Sequence, residues 1–370
     1  FASGNPFTEL PEVLGDCPAL DMVGFKACRI RRVPAASLPP RLRWLILTDN
    51  AIDRLPDALG ERPRLQKLML AGNRLQTLPE GLAGAQRLEL LRLSANRFDA
   101  LPPWLTTLPR LSWLALAGNP MDRLPPSNTL PQIHWDRVQA GELLGEGASG
   151  RTLGVRVDGL TTPMALKLFR SAVTSDGLPE HEMAAGQAVG QHPGLCTPVA
   201  VLQGHPEGTV GAFLPMIPSG HRVLAGPPSL ASCTRDVYPP DWRIGPAQAL
   251  RLLSDTAGAV AHLHRRRVMH GDLYAHNIFF DPATGCSLLT DLGAAAVLPA
   301  DPAAPWRALL ALEVRAFGCL VEELGHRLDV LPGDPLHAMM AELAAACMDT
   351  DPCARPSMAE VSRQLSKEVS

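Results

Sequence analysis

Residues 268–293 are VMHGDLYAHNIFFDPATGCSLLTDLG, and this stretch decides how the second half of the chain folds. Its two apolar runs, NIFF and SLLT, flank a turn that contains proline and glycine, which predicts a β-hairpin. Asp272 precedes Asn277 by five residues, and Asp291 follows the second run. These three side chains carry oxygen atoms and should converge at one edge of the hairpin. Because magnesium prefers hard oxygen donors, we expect magnesium-bound phosphates at this edge.

The same stretch resembles two motifs of the eukaryotic-like protein kinases. Residues 270–277, His-Gly-Asp-Leu-Tyr-Ala-His-Asn, resemble the H-R-D-L-x-x-x-N catalytic loop, and residues 291–293, Asp-Leu-Gly, resemble D-F-G. The resemblance implies that Asp272 orients the attacking hydroxyl and accepts its proton, and that Asn277 and Asp291 hold magnesium. Small-molecule phosphotransferases carry similar H-G-D loops. The protein-kinase interpretation therefore depends on further segments.

A glycine-rich loop lies upstream of this stretch. Gly145, Gly147 and Gly150 form G-x-G-x-x-G and are followed by a strand-like segment, residues 152–157. By the kinase resemblance, backbone N–H groups of such a loop cover the phosphates of ATP, and glycine permits the close approach. A dinucleotide-binding fold would place a helix after the motif, so the strand-like segment favours the kinase interpretation.

Lys167 lies in Met-Ala-Leu-Lys-Leu, residues 164–168, which resembles the V-A-I-K strand of kinases. Elsewhere in this half the chain uses arginine almost throughout, so an ammonium group was retained at this position. An ammonium is a compact point charge that suits phosphate. Glu182, in the helical segment predicted over 179–189, is the expected partner of Lys167, and Glu180 is the alternative.

Two further segments extend the comparison. Residues 213–217 fit the strand and hinge that meet the adenine, where Met216 would bind the nucleotide and Leu214 would stand at the gate of its pocket. Residues 351–357, Asp-Pro-Cys-Ala-Arg-Pro-Ser, match the D-P-x-x-R-P-S segment of protein kinases. Small-molecule phosphotransferases lack this segment. The resemblance therefore covers nearly the whole second half of the chain.

Several positions depart from the kinase pattern. Gly271 replaces the arginine that normally meets a phosphorylated activation segment, and no Ser, Thr or Tyr occurs between Asp291 and Glu313. We therefore expect activity that does not depend on phosphorylation in this segment. Tyr274 replaces the lysine that steadies the transferred phosphate. Glu313 stands where an aspartate is expected, and Arg355 has no identifiable family partner.

The first third of the chain is built from a repeat. Four asparagines recur every 23 residues, each preceded by L-x-x-L-x-L and followed by Leu-Pro: Asn50, Asn73, Asn96 and Asn119. The frame extends back to Cys28 and Asn5. This is the signature of leucine-rich repeats. Each L-x-L predicts a short strand with inward leucines, and each asparagine should bond backbone groups of neighbouring turns.

The strand positions between the inward leucines should face the concave side of the repeat domain. This surface is unusually apolar, and its large residues are Trp44, Ile46, Met69, Leu90 and Trp113. Contiguous apolar patches usually mark interaction sites. We expect this face to bind a protein partner or substrate, or else the second half of the chain itself. The alternative is that flanking arginines cover it.

The overall composition limits the class of protein. A net charge of −3 gives no electrostatic reason to expect a nucleic-acid partner. The eight cysteines show neither C-x-x-C nor metal-ligand spacing, which favours a reducing, cytoplasmic location. No apolar run reaches the roughly 20 residues that span a bilayer. Since the first repeat begins almost at Phe1, we expect a longer natural solenoid or a cap upstream.

Together these patterns predict two domains. Residues 1–130 should form an α/β leucine-rich-repeat solenoid, truncated at its N-terminus, and residues 131–370 an α+β bilobal protein-kinase-like fold, with a short, stiff joint over 118–137. The chain resembles bacterial leucine-rich-repeat protein kinases. The resemblance implies an ATP- and Mg²⁺-dependent kinase for Ser or Thr hydroxyls, with Tyr second, whose repeats recruit a protein. The alternatives are a pseudokinase scaffold that binds nucleotide and a kinase for small molecules.

Overall fold

The computed structural model describes residues 1–122, 130–147, 149–170, 174, 176–299, 306–331 and 333–369. We refer to the first of these ranges as the solenoid and to all the later ones together as the C-terminal segment. The middle of the joint expected over 118–137 falls on residues 123–129, which lie outside the described residues.

The solenoid is a single sheet of five short parallel strands that follow one another in chain order. The strands are β1 (Met22–Gly24), β2 (Trp44–Ile46), β3 (Lys67–Met69), β4 (Leu90–Arg92) and β5 (Trp113–Ala115). The residue at the centre of each strand pairs with its equivalent in the next repeat, as Leu68 does with Leu91. The inward leucines are fully buried. After the Leu-Pro of each repeat within the described residues the chain turns through a short 3-10 helix, as at Asp57–Leu59, and returns. The predicted leucine-rich repeats are confirmed.

The asparagines stack as a ladder inside the solenoid. Asn73 donates from Nδ2 to the carbonyl oxygens of Leu47 and Leu70, both at 2.9 Å, and its Oδ1 accepts from the backbone N–H of Ile52 at 3.1 Å. Asn96 repeats this pattern one turn later. These side chains satisfy backbone groups that the loop geometry would otherwise leave unpaired in the interior.

The C-terminal segment begins with a six-stranded sheet and one helix. The strands are β6 (Gln132–His134), β7 (Val138–Glu146), β8 (Gly150–Val157), β9 (Met164–Phe169), β10 (Ala200–Gln203) and β11 (Gly211–Pro215), in the spatial order β6-β10-β11-β9-β8-β7. Helix α1 (Pro179–Val189) starts at a proline, which is tolerated there because N–H groups in the first turn of a helix have no intrahelical acceptor. The helix ends before Gly190, which has φ 68°. The strand-loop-strand around the glycines and the helix over 179–189 agree with the sequence prediction.

The rest of the C-terminal segment is mainly helical. Its elements are β12 (Arg222–Val223), α2 (Pro246–Arg265), β13 (Val268–Met269), β14 (Ile278–Phe280), β15 (Ser287–Leu289), β16 (Ala296–Val297), α3 (Trp306–Gly325), α4 (Pro335–Cys347) and α5 (Met358–Val369). Ile278 pairs with Leu289 across antiparallel β14 and β15, so the predicted hairpin is confirmed. Among the described residues no helix is long and apolar enough to cross a membrane.

The solenoid and the C-terminal segment share buried cores. Leu90 and Trp113 of the solenoid lie in the apolar cluster formed by α2, α3 and the hairpin. Conversely, Met269 and Leu312 pack into the cluster of solenoid leucines. Burial of apolar surface is the main favourable term in association, so the two parts are held in one arrangement. The last repeats therefore lie directly against the catalytic-loop stretch.

Candidate active site

The glycine loop joins β7 to β8 at the rim of a cavity of about 600 Å³. A Cβ added at Gly145 or Gly147 would meet no atom within 4 Å, so the backbone there faces open space. A Cβ at Gly150 would lie 2.1 Å from the carbonyl oxygen of Leu168, so this glycine is required by the close packing of β8 on β9. Ala148, at the tip of the loop, lies outside the described residues.

Lys167 on β9 meets Glu182 on α1 at the back of the cavity. The ammonium donates to both carboxylate oxygens, at 2.7 and 2.8 Å. Both side chains are almost fully buried, at 11% and 7% exposure. Burial raises the pKa of Glu182 to about 7 in spite of the neighbouring ammonium. Glu180, the alternative partner, is exposed, so the structure places Glu182 at this position.

Asp291 lines the same end of the cavity beside this pair. Its Oδ1 is 3.5 Å from the Lys167 ammonium and accepts the backbone N–H of Gly293 at 3.1 Å. Burial opposes its ionisation, but the Lys167 charge holds the pKa of Asp291 below its ordinary value. Asp291 has φ 59°, a left-handed conformation that is uncommon for residues other than glycine and that clusters at functional sites. An ionised carboxylate is thereby aimed at the cavity wall.

The hinge position also lines the cavity. Met216 follows the end of β11 and is 36% exposed, and Leu214 precedes it on the same wall. Phe279 of the hairpin lies on the wall as well. The cavity thus combines apolar walls with one cation and two carboxylates at its end. Apolar walls with a few converging polar groups are typical of ligand sites.

Glu313 on α3 hydrogen-bonds to the backbone of the loop that contains Asp272. Its carboxylate accepts the backbone N–H of Gly271 at 2.7 Å and of His270 at 3.2 Å, and His264 Nε2 lies 2.8 Å from it. Burial opposes ionisation of Glu313, but the bond from His264 keeps its pKa below the ordinary value. The departure from an expected aspartate therefore preserves a buried acceptor for the loop. The sequence showed Glu313 as a departure from the kinase pattern but indicated no function for it.

Asp272 and Asn277 meet as expected. Asn277 Nδ2 donates to Asp272 Oδ2 at 3.0 Å and to the Asp272 carbonyl oxygen at 2.9 Å. The other carboxylate oxygen, Oδ1, accepts a short hydrogen bond from Arg92 Nη2 of the solenoid, while Arg92 Nη1 donates to the Gly271 carbonyl oxygen at 2.9 Å. Asp272 does not line the cavity. Burial opposes ionisation of Asp272, but the Arg92 guanidinium holds its pKa below the ordinary value.

Arg92 and Asp176 are site residues that the sequence did not reveal. Arg92 has only 4% exposure, and its Nε lies 3.3 Å from Asp176 Oδ1 in the loop before α1. Ser94 Oγ of the same repeat donates to the Asp176 carbonyl oxygen at 2.7 Å. The sequence signal for Arg92 was a charged residue at a concave position, and Lys67 on β3 carries the same signal. That signal gives no indication of which surface the charge meets.

The concave face predicted to bind a partner is partly occupied by the chain itself. Trp113 is 1% exposed, stacks on Tyr274 with ring centroids 4.4 Å apart, and donates from Nε1 to the Leu273 carbonyl oxygen at 2.9 Å. Leu90 is 2% exposed in the same cluster. Trp44, Ile46 and Met69 are half-buried. Of the two occupants expected for this face, the chain's own second half covers the C-terminal end, and its residues 230–234 also contact Arg43 and Lys67 further along the solenoid.

Known family models match the solenoid and a part of the C-terminal segment. A leucine-rich-repeat family model matches residues 40–98 and 63–121. A model of the lipopolysaccharide kinase (Kdo/WaaP) family matches residues 222–293, which include the catalytic-loop stretch and Asp-Leu-Gly. This is a leucine-rich-repeat protein with a kinase-like segment. No curated protein matches the chain.

The match to the lipopolysaccharide kinase family supports a phosphotransferase in general. It neither supports nor excludes a protein acceptor, and the identification as a Ser/Thr protein kinase stays a prediction. The match also favours the third hypothesis from the sequence, a kinase for small molecules, which the H-G-D form of the loop had suggested.

Proposed function

We propose that this leucine-rich-repeat kinase transfers the γ-phosphoryl group of ATP to a serine or threonine hydroxyl of a protein, in a bilobal kinase fold. The observation that carries the proposal is the Lys167–Glu182 ion pair with Asp291 3.5 Å from the same ammonium, at the end of a 600 Å³ cavity. An inactive scaffold has no need to keep a buried cation and an ionised carboxylate directed at a nucleotide-sized cavity. Tyr274, buried under Trp113, takes no part in phosphate contact.

In the proposed reaction, phosphate passes from ATP to the acceptor in a single displacement. The oxygen of the acceptor hydroxyl attacks the γ-phosphorus, the bond from the γ-phosphorus to the β–γ bridging oxygen breaks, and ADP leaves with the bonding electrons. The hydroxyl proton passes to the Asp272 carboxylate. Lys167 orients the phosphates by charge-assisted hydrogen bonds. Glu182 holds that ammonium in place.

Magnesium fits the residues that are present. Within the described ranges no three His, Cys, Asp or Glu side chains form a metal cluster. Magnesium does not require one, because it binds through one or two carboxylates, waters and the phosphates of the substrate. Asp291 would supply the ionised carboxylate, and Asn277 would supply its amide oxygen, because its nitrogen donates to Asp272. The ion would neutralise charge on the phosphates.

A kinase for a small hydroxyl compound is the second candidate. Two observations favour it: the match of residues 222–293 to the lipopolysaccharide kinase family, and the contact of the solenoid with the catalytic loop. A small acceptor needs less open surface around Asp272 than a polypeptide does. D-P-x-x-R-P-S and the leucine-rich repeats favour the protein acceptor.

The test combines nucleotide binding with phosphate transfer. Full-length protein is titrated with a fluorescent ATP analogue and Mg²⁺, and is incubated with radiolabelled ATP and either dephosphorylated casein or purified lipopolysaccharide. We expect label on casein that Asp272→Asn abolishes and that Asp241→Asn, an exposed control, leaves unchanged. Lys167→Ala should weaken nucleotide binding by about 10- to 100-fold, the equivalent of one charge-assisted hydrogen bond. Failure of the wild type to bind the nucleotide would refute the proposal, and label on lipopolysaccharide alone would select the second candidate.

A further inference from the structure

The solenoid contacts the C-terminal segment where a phosphate acceptor has to enter. In the proposed reaction the acceptor hydroxyl donates a hydrogen bond to the Asp272 carboxylate. One oxygen of that carboxylate accepts from Asn277 and the other from Arg92. The guanidinium therefore takes one of the two acceptor positions on Oδ1 and stands beside the one that remains for a hydroxyl. It also lowers the basicity of the carboxylate.

The backbone around Asp272 is covered as well. A Cβ at Gly271 would lie 2.6 Å from the carbonyl oxygen of Ala294 and 2.7 Å from that of Leu114 on β5, so the absence of a side chain allows the solenoid and the C-terminal segment to approach this backbone together. Beside it, Trp113 covers Tyr274 and Leu273. A polypeptide acceptor has no room to lie across the loop in this arrangement.

Other departures from the kinase pattern lie at the same contact. Arg355, which has no family partner in the sequence, donates to the carbonyl oxygen of Pro109 in the solenoid at 3.0 Å. Arg315 on α3 donates to Ser112 Oγ at 2.8 Å. The solenoid thus supplies contacts where the sequence lacks those of an ordinary activation segment. Part of that segment, residues 300–305, lies outside the described residues.

The nucleotide side of the site is left open. The 600 Å³ cavity is lined by the glycine loop, Lys167, Glu182 and Asp291, and its lining includes no solenoid residue. Arg92 also contacts Asp176, in the loop that leads into α1 and therefore toward Glu182. The contact covers the acceptor carboxylate while the Lys167–Glu182 pair stays formed. This is the geometry of a complete but closed enzyme.

We propose that the solenoid is an intramolecular inhibitor that closes the acceptor site through Arg92 and Trp113. The proposal rests on the phosphotransfer function proposed above. The residues freed by release, Leu90, Trp113 and Arg92, lie on the concave face at which a partner was predicted. The releasing partner is therefore a protein surface with an apolar patch for Trp113 and a carboxylate that replaces Asp272 on Arg92. Binding of that partner and docking of the solenoid exclude each other.

The experiment uses the full chain with two separate releasing variants, Arg92→Ala and Trp113→Ala. Arg97→Ala is the matched control, because it removes an arginine from the same repeat at an exposed position. Label transfer from ATP to casein is measured beside the affinity for a fluorescent ATP analogue. If the contact closes about nine-tenths of the molecules, it hides about nine-tenths of the activity, so both variants should raise transfer by up to about tenfold. Nucleotide affinity should stay within about twofold of the wild type, as in the control.

Hydrogen exchange of residues 270–277 reports on the contact independently of activity. Both releasing variants should speed exchange there, which shows that the loop is uncovered. Transfer that stays at the wild-type rate in a variant with an uncovered loop overturns the inference and leaves the phosphotransfer proposal standing. Absence of transfer in the wild type and in both uncovered variants refutes the phosphotransfer proposal, and the inference falls with it. Trp113→Ala retains Arg92, so the test does not depend on how Arg92→Ala folds.

Discussion

Replacing Glu313 by glutamine tests whether this buried carboxylate holds the catalytic loop. Glu313 is 1% exposed and accepts from the backbone N–H groups of Gly271 and His270 and from His264. The three donors bind both carboxylate oxygens. Glutamine has the same shape but only one oxygen, and its NH₂ group would face at least one of these donors.

The magnitude follows from the bonds that are lost. A hydrogen bond to a charged group contributes about 1.5–3 kcal/mol, and a neutral acceptor about half of that. If the amide oxygen of the glutamine accepts from His270 and His264, its NH₂ group faces the Gly271 N–H. That backbone donor is then buried without an acceptor. We therefore expect the free energy of opening the loop to fall by about 2–3 kcal/mol. This corresponds to about 30- to 140-fold faster exchange of the loop amides at 1.4 kcal/mol per factor of ten.

Native-state hydrogen exchange of the Gly271 and His270 amides is the assay, with Glu322→Gln on the same helix as control. Glu322 has a side chain that is 40% exposed and should change nothing in the loop. The pKa of Glu313 lies below its ordinary value of 4.5, so its stabilisation is present above pH 4.5 and is lost as the pH falls through the lowered pKa. The difference between wild type and variant should shrink with it. Unchanged protection of both amides at neutral pH would refute this role of Glu313.

Three further predictions follow from the described contacts. Asn73→Ala removes three buried hydrogen bonds of the ladder and should destabilise the solenoid by about 3 kcal/mol, which calorimetry checks; a loss below about 1 kcal/mol would contradict the ladder. Because the pKa of Glu182 is about 7, protonation below neutral pH removes the charge that holds Lys167, and nucleotide affinity should fall as the pH drops through 7. Glu182→Gln should bind weakly at every pH, and a retained pH dependence in that variant would disprove this origin. Gly271→Ala, at φ +74° with a Cβ 2.6 Å from the Ala294 oxygen and 2.7 Å from the Leu114 oxygen, should lower the free energy of unfolding by about 2 kcal/mol or more, and a neutral effect in urea would show that the loop backbone is not confined in this way.

The sequence predicted the parts of the site that are local in the chain. The 23-residue period places Asn73 and the inward leucines, and the hairpin follows from two apolar runs around a turn. The Lys167–Glu182 pair was expected from the resemblance of residues 164–168 to the V-A-I-K strand of kinases, with Glu180 as the alternative. These features depend on short-range periodicity and on motif spacing, both of which are visible in one sequence. A bilobal kinase fold remains a proposal on these grounds.

The docking of the solenoid was not predictable to the same extent. It depends on the complementarity of two surfaces that are far apart in the chain, Arg92 against Asp272 and Trp113 against Tyr274. Gly271, Tyr274 and Arg355 did depart from the kinase pattern, and all three contact the solenoid. Each departure alone is a lost interaction. Only their positions in space show that one surface replaces the missing partners.

The ladder of strands has a consequence for how such a chain can gain or lose repeats during evolution. Neighbouring strands of a sheet are about 4.8 Å apart, so a repeat inserted between β4 and β5 would carry the guanidinium that far from its carboxylate. Duplication of the repeats that carry β4 and β5 is therefore incompatible with their contact with the C-terminal segment. Units added ahead of β1 would lengthen the array without disturbing it. Arg43, just before β2, and Gln66, just before β3, also contact residues 230–234, so natural length variation should be confined to the N-terminal side of β2.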